Sequence, residues 1–143
     1  MTLDEAFQKL REASEPVPNP PRLPTAAEVD AAERDIGVPF HPDYRRFQLE
    51  ASNVVAGVLE PALVLPSVMP YLDLRETVKV ARQIGVPREV LPFCQDNGNY
   101  YFIDTAGCIG YWDHDGRTAL HGRHESLADW IVEDWLFDYE DAG

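Results

Sequence analysis

Three short turn sequences divide residues 91–120 into four runs with a period of two. The turns are Asp96-Asn97-Gly98, Thr105-Ala106-Gly107 and His114-Asp115-Gly116, and each contains residues that tolerate a positive φ. The runs predict four short strands, at residues 91–94, 99–104, 108–113 and 117–120. Because turns of this kind connect adjacent antiparallel strands, this part of the chain predicts an antiparallel meander.

Helix-capping patterns lie on both sides of the predicted meander. Capping boxes begin at Thr2 and Thr25, Pro42 suits the first turn of a third helix, and Asp73 begins a fourth. After the meander, Ser126 caps a final helix. The residues predicted to face inward on that helix are Leu127, Trp130, Ile131 and Trp135.

Proline divides the segments between these helices. Residues 15–24 contain five prolines and predict an extended connector. Residues 54–59 and 62–65 are apolar runs separated by Pro61, and we interpret them as two further strands.

A length of 143 residues fits one domain. The order of elements predicts an α+β fold with N-terminal helices, a central mainly antiparallel sheet with a meander, and a closing C-terminal helix.

Acidic residues outnumber basic ones and are concentrated at one end of the chain. The formal net charge is −13, and residues 94–143 contain only Arg117 and Arg123 against eleven acids. A field of this sign repels phosphate backbones and anionic lipid, so we expect neither nucleic-acid nor membrane-surface binding. Several of the acids follow the start of the final helix, near its negative end, where they are unfavourable for helix stability. We therefore expect them to attract a basic partner.

One cluster of polar residues could hold a metal ion. Asp113-His114-Asp115 is followed by His121 and His124, but the first three residues also form a predicted hairpin turn, and Gly122 makes a shared helical face improbable. We favour the turn interpretation and expect no metal or cofactor.

Two cysteines are too few for a disulfide scaffold, and Cys94 and Cys108 are predicted to be free thiols in the core.

The aromatic residues of the meander occupy both faces of the predicted sheet. They are Tyr100, Tyr101, Phe102, Tyr111 and Trp112. One face must pack on helices, and the other is either covered as well or presents Tyr and Trp to a partner, since these types are enriched in binding hot spots. We favour the interpretation that both faces are core.

The order of these features resembles the SUKH superfamily. Its opening resembles Thr25-Ala26-Ala27-Glu28-Val29, Ile36-Gly37-Val38-Pro39 and Pro42-Asp43-Tyr44-Arg45-Arg46-Phe47. Its strand–turn–strand core and closing helix resemble Leu91-Pro92-Phe93, Asp96-Asn97-Gly98-Asn99-Tyr100-Tyr101, Tyr111-Trp112-Asp113-His114-Asp115 and Ser126-Leu127-Ala128-Asp129-Trp130-Ile131. The resemblance covers residues 22–137. It implies an α+β binding domain, found in immunity proteins that neutralise polymorphic toxins and in regulatory proteins, with no shared catalytic residues.

From the residues and the resemblance together we expect a non-enzymatic, cytoplasmic immunity protein that occludes the active site of a toxin, often a nuclease. Residues 1–21 are expected to form an N-terminal helix and proline-rich connector, and residues 22–143 the SUKH-like domain. The expected partner is a cognate toxin with a basic surface, bound by a monomer or homodimer. Two alternatives stay open: a regulatory or scaffolding module, and a metal-dependent hydrolase that uses His114, His121 and His124. The candidate partner-binding residues are Tyr101, Tyr111, Trp112, Asp113, Asp115, Glu133, Asp134 and Asp138.

Overall fold

The structure is a computed structural model that describes residues 1–137. Three helices open the chain: α1 (Leu3–Ala13), α2 (Ala26–Ile36) and α3 (Pro42–Glu50). A 3-10 turn at Pro70–Leu72 leads into α4 (Leu74–Gln83). The strands are β1 (Leu91–Asp96), β2 (Asn99–Ile103), β3 (Ile109–Asp113) and β4 (Thr118–His124). The last helix begins as α5 (Leu127–Trp130) and continues as a π-helical turn (Ile131–Trp135).

The predicted α+β class and the meander are confirmed. The four strands form one antiparallel sheet in the order β1-β2-β3-β4. In the β1–β2 turn, Asn97 has a φ of 50° and Gly98 a φ of 89°. Two consecutive residues with positive φ give the hairpin the turn geometry that matches the twist of its strands, which explains the Asn-Gly pair.

Residues 54–59 and 62–65 are not strands, so that prediction is wrong. The backbone N–H of Ala62 donates to Phe93 of β1, and Leu63 forms one isolated bridge with Asp73. Pro61 cannot donate to a ladder, and its neighbours therefore pair one residue at a time with different elements. Together with the proline connector these segments line an apolar cavity of about 450 Å³.

The fourth strand is longer than predicted. Its expected end was residue 120, whereas β4 continues to His124. The pairing with β3 shifts between Ile109 and Tyr111, and Gly122 has a φ of 71° there. This irregularity interrupts the alternation of side chains, so the sequence pattern hides the second half of the strand.

The larger part of the core lies between the sheet and helices α1, α3 and α5. The Trp130 side chain is 1% exposed, which confirms its predicted burial. Its ring centroid lies 4.9 Å from that of Phe93, 5.4 Å from that of Tyr101 and 5.8 Å from that of Trp135. The Trp135 indole N–H donates to the Ala56 carbonyl at 2.8 Å. Aromatic packing of this kind fixes the last helix against the sheet.

A smaller cluster fills the other face of the sheet, beneath α4. It consists of Ala81, Val86, Val90, Tyr100, Phe102 and Trp112. Gly110 belongs to this packing, because a Cβ there would lie 2.3 Å from the Phe102 ring. The ring therefore occupies the space that a side chain on β3 would need, and both faces are core, as we expected.

The N-terminal helix is part of the same core. Leu3, Phe7 and Leu10 are buried in the larger cluster, together with Trp130 of α5. The division of the chain at residue 21 stays a prediction. Within the described residues, no helix is both long and apolar enough to cross a bilayer.

One buried polar side chain escaped the sequence analysis. Gln48 of α3 is 0% exposed, and its Nε2 donates to the Tyr44 hydroxyl at 2.8 Å and to the Ala62 carbonyl at 3.0 Å. Its Oε1 accepts from the Val64 N–H at 3.4 Å. Gln48 thus satisfies backbone groups of the segment that the sequence pattern misassigned to strands.

Candidate partner-binding surface

The β3–β4 turn holds two of the predicted site residues. The Asp115 N–H donates to the Asp113 carboxylate at 3.0 Å, which is the turn chemistry expected there. The His114 N–H donates to the Asn99 side-chain oxygen at 2.9 Å, and the His114 ring lies 3.1 Å from the Asp115 carboxylate. The Asp115 side chain is 86% exposed. Asp113 shapes the turn, while Asp115 presents its charge to solvent.

A second cluster joins β4 to the π-helical turn. The Asp134 carboxylate lies 2.5 Å from Nε2 of His124 and accepts from Nε of Arg123 at 3.3 Å. The other ring nitrogen of His124, Nδ1, lies 2.9 Å from the Glu133 carboxylate. A doubly protonated imidazole donates to both carboxylates, whereas a neutral one donates to only one. This contact set fixes the last helix to the edge strand of the sheet.

The two acids of this cluster differ in exposure and in electrostatics. The Glu133 side chain is 63% exposed, and the Asp134 side chain 17%. Burial alone would raise the pKa of Asp134, but hydrogen bonds from His124 and Arg123 outweigh burial and hold this pKa below its ordinary value. Asp134 is therefore a charged group satisfied by its own chain, while Glu133 faces outward.

Arg123 links this cluster to the aromatic residues of the sheet. Its guanidinium lies 5.4 Å from the ring centroid of Tyr111 and 5.9 Å from that of Tyr101. The Tyr111 hydroxyl donates to the Asp96 carboxylate at 3.1 Å. Burial and the nearby Asp96 raise the pKa of Tyr111, so the phenol stays protonated and keeps this hydrogen bond.

The sequence analysis missed one exposed apolar residue beside Tyr111. Leu120 is directly opposite Tyr111 in the β3–β4 pairing and is 53% exposed. Its position in an irregular strand left it without a clear periodic signal. We call Tyr111, Leu120, Arg123, Glu133 and Asp134 the β4 surface. It combines an acidic rim with a half-buried aromatic ring and an exposed aliphatic side chain.

Two of the predicted site residues are buried, and a third lies outside the part of the chain that the structure describes. Tyr101 is 5% exposed and packs against Trp130, and Trp112 is 2% exposed in the cluster beneath α4. Both side chains serve packing, and a role in partner binding stays a prediction for them. Asp138 lies outside the described residues 1–137.

The three histidines of the hydrolase alternative occupy different environments. His114 contacts Asn99, the His121 ring lies 5.2 Å from that of Phe102, and His124 lies between two carboxylates. Among residues 1–137 no group of three or more histidine, cysteine, aspartate or glutamate side chains could hold a metal ion. The shared site that this alternative requires is therefore not formed by these histidines.

The cysteines differ in burial. Cys94 is fully buried, and burial raises the pKa of its thiol, which suits an unreactive core residue. The expectation that Cys108 also lies in the core is wrong, because it is only half-buried. Cys108 comes directly before β3, outside the paired part of the sheet.

Comparison with known proteins agrees with the resemblance seen in the sequence. A family model described as SUKH_5, SMI1-KNR4 cell-wall, matches residues 3–136. The chain belongs to this SUKH family. A solved structure titled "Crystal structure of protein from Pseudomonas syringae pv. tomato" is similar at 33% identity with a TM-score of 0.83, covering 94% of this chain and 98% of that chain. No curated protein matches.

The family match includes α1, which the sequence resemblance over residues 22–137 did not cover. The packing of α1 against the last helix explains why it belongs with the rest of the fold. The match with the family thus extends from the first helix to the π-helical turn.

Proposed function

We propose that this SUKH chain is a cytoplasmic, non-enzymatic immunity protein that binds a polymorphic toxin through the β4 surface and covers its active site. The observation that carries the proposal is that this surface exposes the Glu133 carboxylate and the Leu120 side chain together with the half-buried ring of Tyr111. The family provides the class of function, since the resemblance implies binding domains that include toxin-immunity proteins. The partner would be a toxin with a basic cleft, such as a nuclease.

The charges on the surface suit attraction at a distance. Glu133 of the β4 surface and Asp115 of the turn that leads into β4 are both strongly exposed, and they lie within the part of the sequence that has the greatest excess of acids. Exposed acids of this kind raise the rate at which a basic partner associates, and this effect weakens as salt shortens the Debye length to about 8 Å near 0.15 M. We therefore assign Glu133 and Asp115 to the encounter with the toxin.

The centre of the surface suits close contact. Arg123 is held by Asp134 and by the faces of two tyrosine rings, so it is already ordered before any partner binds. Leu120 can bury its exposed half in an apolar depression of the partner, and Tyr and Arg are residue types enriched in hot spots. We assign Tyr111, Leu120 and Arg123 to the stability of the complex once formed.

The test measures association with a candidate toxin that has a basic cleft, chosen from the products of the genes next to this one. The variant Asp115→Lys/Glu133→Lys reverses the exposed acid of the β4 surface and that of the turn leading into β4, and Glu15→Lys/Glu89→Lys makes the same charge change at exposed sites elsewhere. We expect the first variant to associate about tenfold more slowly, with a weaker salt dependence, and the second to change much less. Surface-binding kinetics across a salt series give both rates.

A second variant tests the contact region. Leu120→Asp should leave the association rate nearly unchanged and raise the dissociation rate, since affinity changes at an interface centre appear mainly in dissociation. The β4 surface would be refuted as the interface if both charge variants associate at the same rate and Leu120→Asp dissociates at the rate of the unchanged protein. A toxin that stays active with the immunity protein bound would refute occlusion. Absence of any binding would favour the regulatory alternative.

A further inference from the structure

A basic cleft lies between α2 and α4 on this acidic protein. Its volume is about 410 Å³, and its charged lining consists of Asp35, Arg75, Lys79, Arg82 and Arg88. Four of the chain's twelve basic residues therefore face one carboxylate. Arg75, Lys79 and Arg82 are spaced by four and three residues, which places them on one side of α4.

Two of the guanidinium groups are held in place by backbone oxygens. Arg82 donates from Nη1 to the Ile36 carbonyl at 3.1 Å and from Nη2 to the Arg88 carbonyl at 3.4 Å. Arg75 donates from Nη1 to the Val64 carbonyl at 3.2 Å and from Nε to the Asp35 carboxylate at 2.9 Å. Carbonyl contacts orient these groups without neutralising their charge, apart from the one pair that Arg75 makes with Asp35.

The remaining donors of the cleft lack acidic partners. Within residues 1–137, no carboxylate pairs with Lys79, Arg82 or Arg88, and the buried Nε of Arg82 has no hydrogen-bond partner. Arg22, Arg45, Arg46 and Arg123, which lie outside the cleft, each pair with a carboxylate, so the cleft guanidinium with the buried Nε differs from these four. Burial and the neighbouring Arg88 lower the pKa of Arg82.

We propose that this cleft binds a small multivalent anion that contains phosphate. Lysine and arginine donors on one helix and the loop after it can meet several oxygens of a tetrahedral group, and arginine forks suit phosphate geometry. A cavity of this volume accommodates a small molecule. The net charge of −13 opposes an extended polyanion such as nucleic acid, whereas a compact anion can lie entirely among the four cations.

The probe is pyrophosphate, with inorganic phosphate and citrate for comparison, measured by titration calorimetry at low ionic strength. We expect saturable binding at one site, with pyrophosphate tighter than inorganic phosphate because it carries more charge. Citrate offers multivalent carboxylate chemistry and is expected to bind more weakly than pyrophosphate. Citrate binding as tightly as pyrophosphate would overturn the assignment of phosphate, and absence of saturable binding by all three would overturn the site.

Two variants of equal charge change locate the binding. Lys79→Gln/Arg88→Gln removes two exposed cations from the cleft, and Arg11→Gln/Arg117→Gln removes two exposed cations elsewhere. We expect the cleft variant to lose at least about tenfold in pyrophosphate affinity and the control to retain it within about twofold. Equal losses would mean attraction by overall charge and would overturn the proposal. The cleft shares no residue with the β4 surface, so each proposal can fail without the other.

Discussion

On the face of the sheet that α5 covers, aromatic rings contact one another from Phe47 through Trp135 and Trp130 to Phe93. On the face that α4 covers, Trp112 lies opposite Tyr100 in the sheet, and its neighbours outside the sheet include the small side chains of Ala81 and Val86 and the backbone of Gly85. The same strands supply large rings to both faces. The two faces differ in the helix that packs on each one. They therefore differ in how easily the surrounding side chains can move into the space left when a ring is removed.

The largest expected effect tests this difference directly. Trp130→Ala should lower the free energy of unfolding by about 5 kcal/mol, because rigid rings surround the space it leaves. Trp112→Ala removes a side chain of equal size and similar burial, yet should cost about 3 kcal/mol, because the small side chains on the α4 side of its site can move inward. Chemical denaturation of both variants measures the two values. A larger loss for Trp112→Ala would reverse the comparison.

A smaller effect is expected at Gly110, where the α4 face is tightest. A Cβ there would meet the Phe102 ring at 2.3 Å and the Leu120 carbonyl oxygen at 2.8 Å, so Gly110→Ala should cost about 1–3 kcal/mol by overpacking. Thermal or chemical unfolding gives the loss. In a Phe102→Leu background the added methyl group should cost less, because the ring is gone. A loss that is the same in both backgrounds would assign the strain to the backbone instead.

The smallest expected effect concerns Asp134, which joins the last helix to β4, and it depends on pH. The pKa of Asp134 is lower in the folded protein than its ordinary value, so its contribution to stability is present above about pH 4 and is lost as pH falls through the folded pKa. Asp134→Asn should cost about 1 kcal/mol at pH 7 and progressively less below pH 4. The more exposed Glu133→Gln is the control and should cost less. A cost that is the same at pH 7 and pH 3 would contradict this account.

Local signals were sufficient for much of the fold. Thr25 accepts from the Glu28 N–H, and the Glu28 carboxylate accepts from the Thr25 N–H, as the capping box predicts. The positive φ values at Asn97 and Gly98 follow from the same kind of local rule. Contacts of this type span a few residues, so a single sequence contains all the information that they need.

The errors arose where distant residues decide the structure. Residues 54–59 and 62–65 have the composition of strands, but Ala62 pairs with β1 and Leu63 with the start of α4. The candidate site also depends on contacts between residues that are far apart in the sequence. Glu133 and Asp134 were predicted from charge alone, whereas their contacts with Arg123 and His124 require β4 to lie beside the last helix. The irregular end of β4 concealed that arrangement.

Because of the π-helical turn, the last helix both buries Trp135 in the core and places Glu133 and Asp134 beside β4. The Leu136 N–H donates to the Ile131 carbonyl at 2.9 Å, which accommodates one more residue than an α-helical turn. In a regular α-helix Trp130 and Trp135 would point about 140° apart, whereas here both are buried. Deleting one residue from this turn would rotate Trp135 out of the core or turn Glu133 and Asp134 away from β4. When chains with this fold acquire new partners, we therefore expect residues in this segment to be replaced and the length of the segment to be kept.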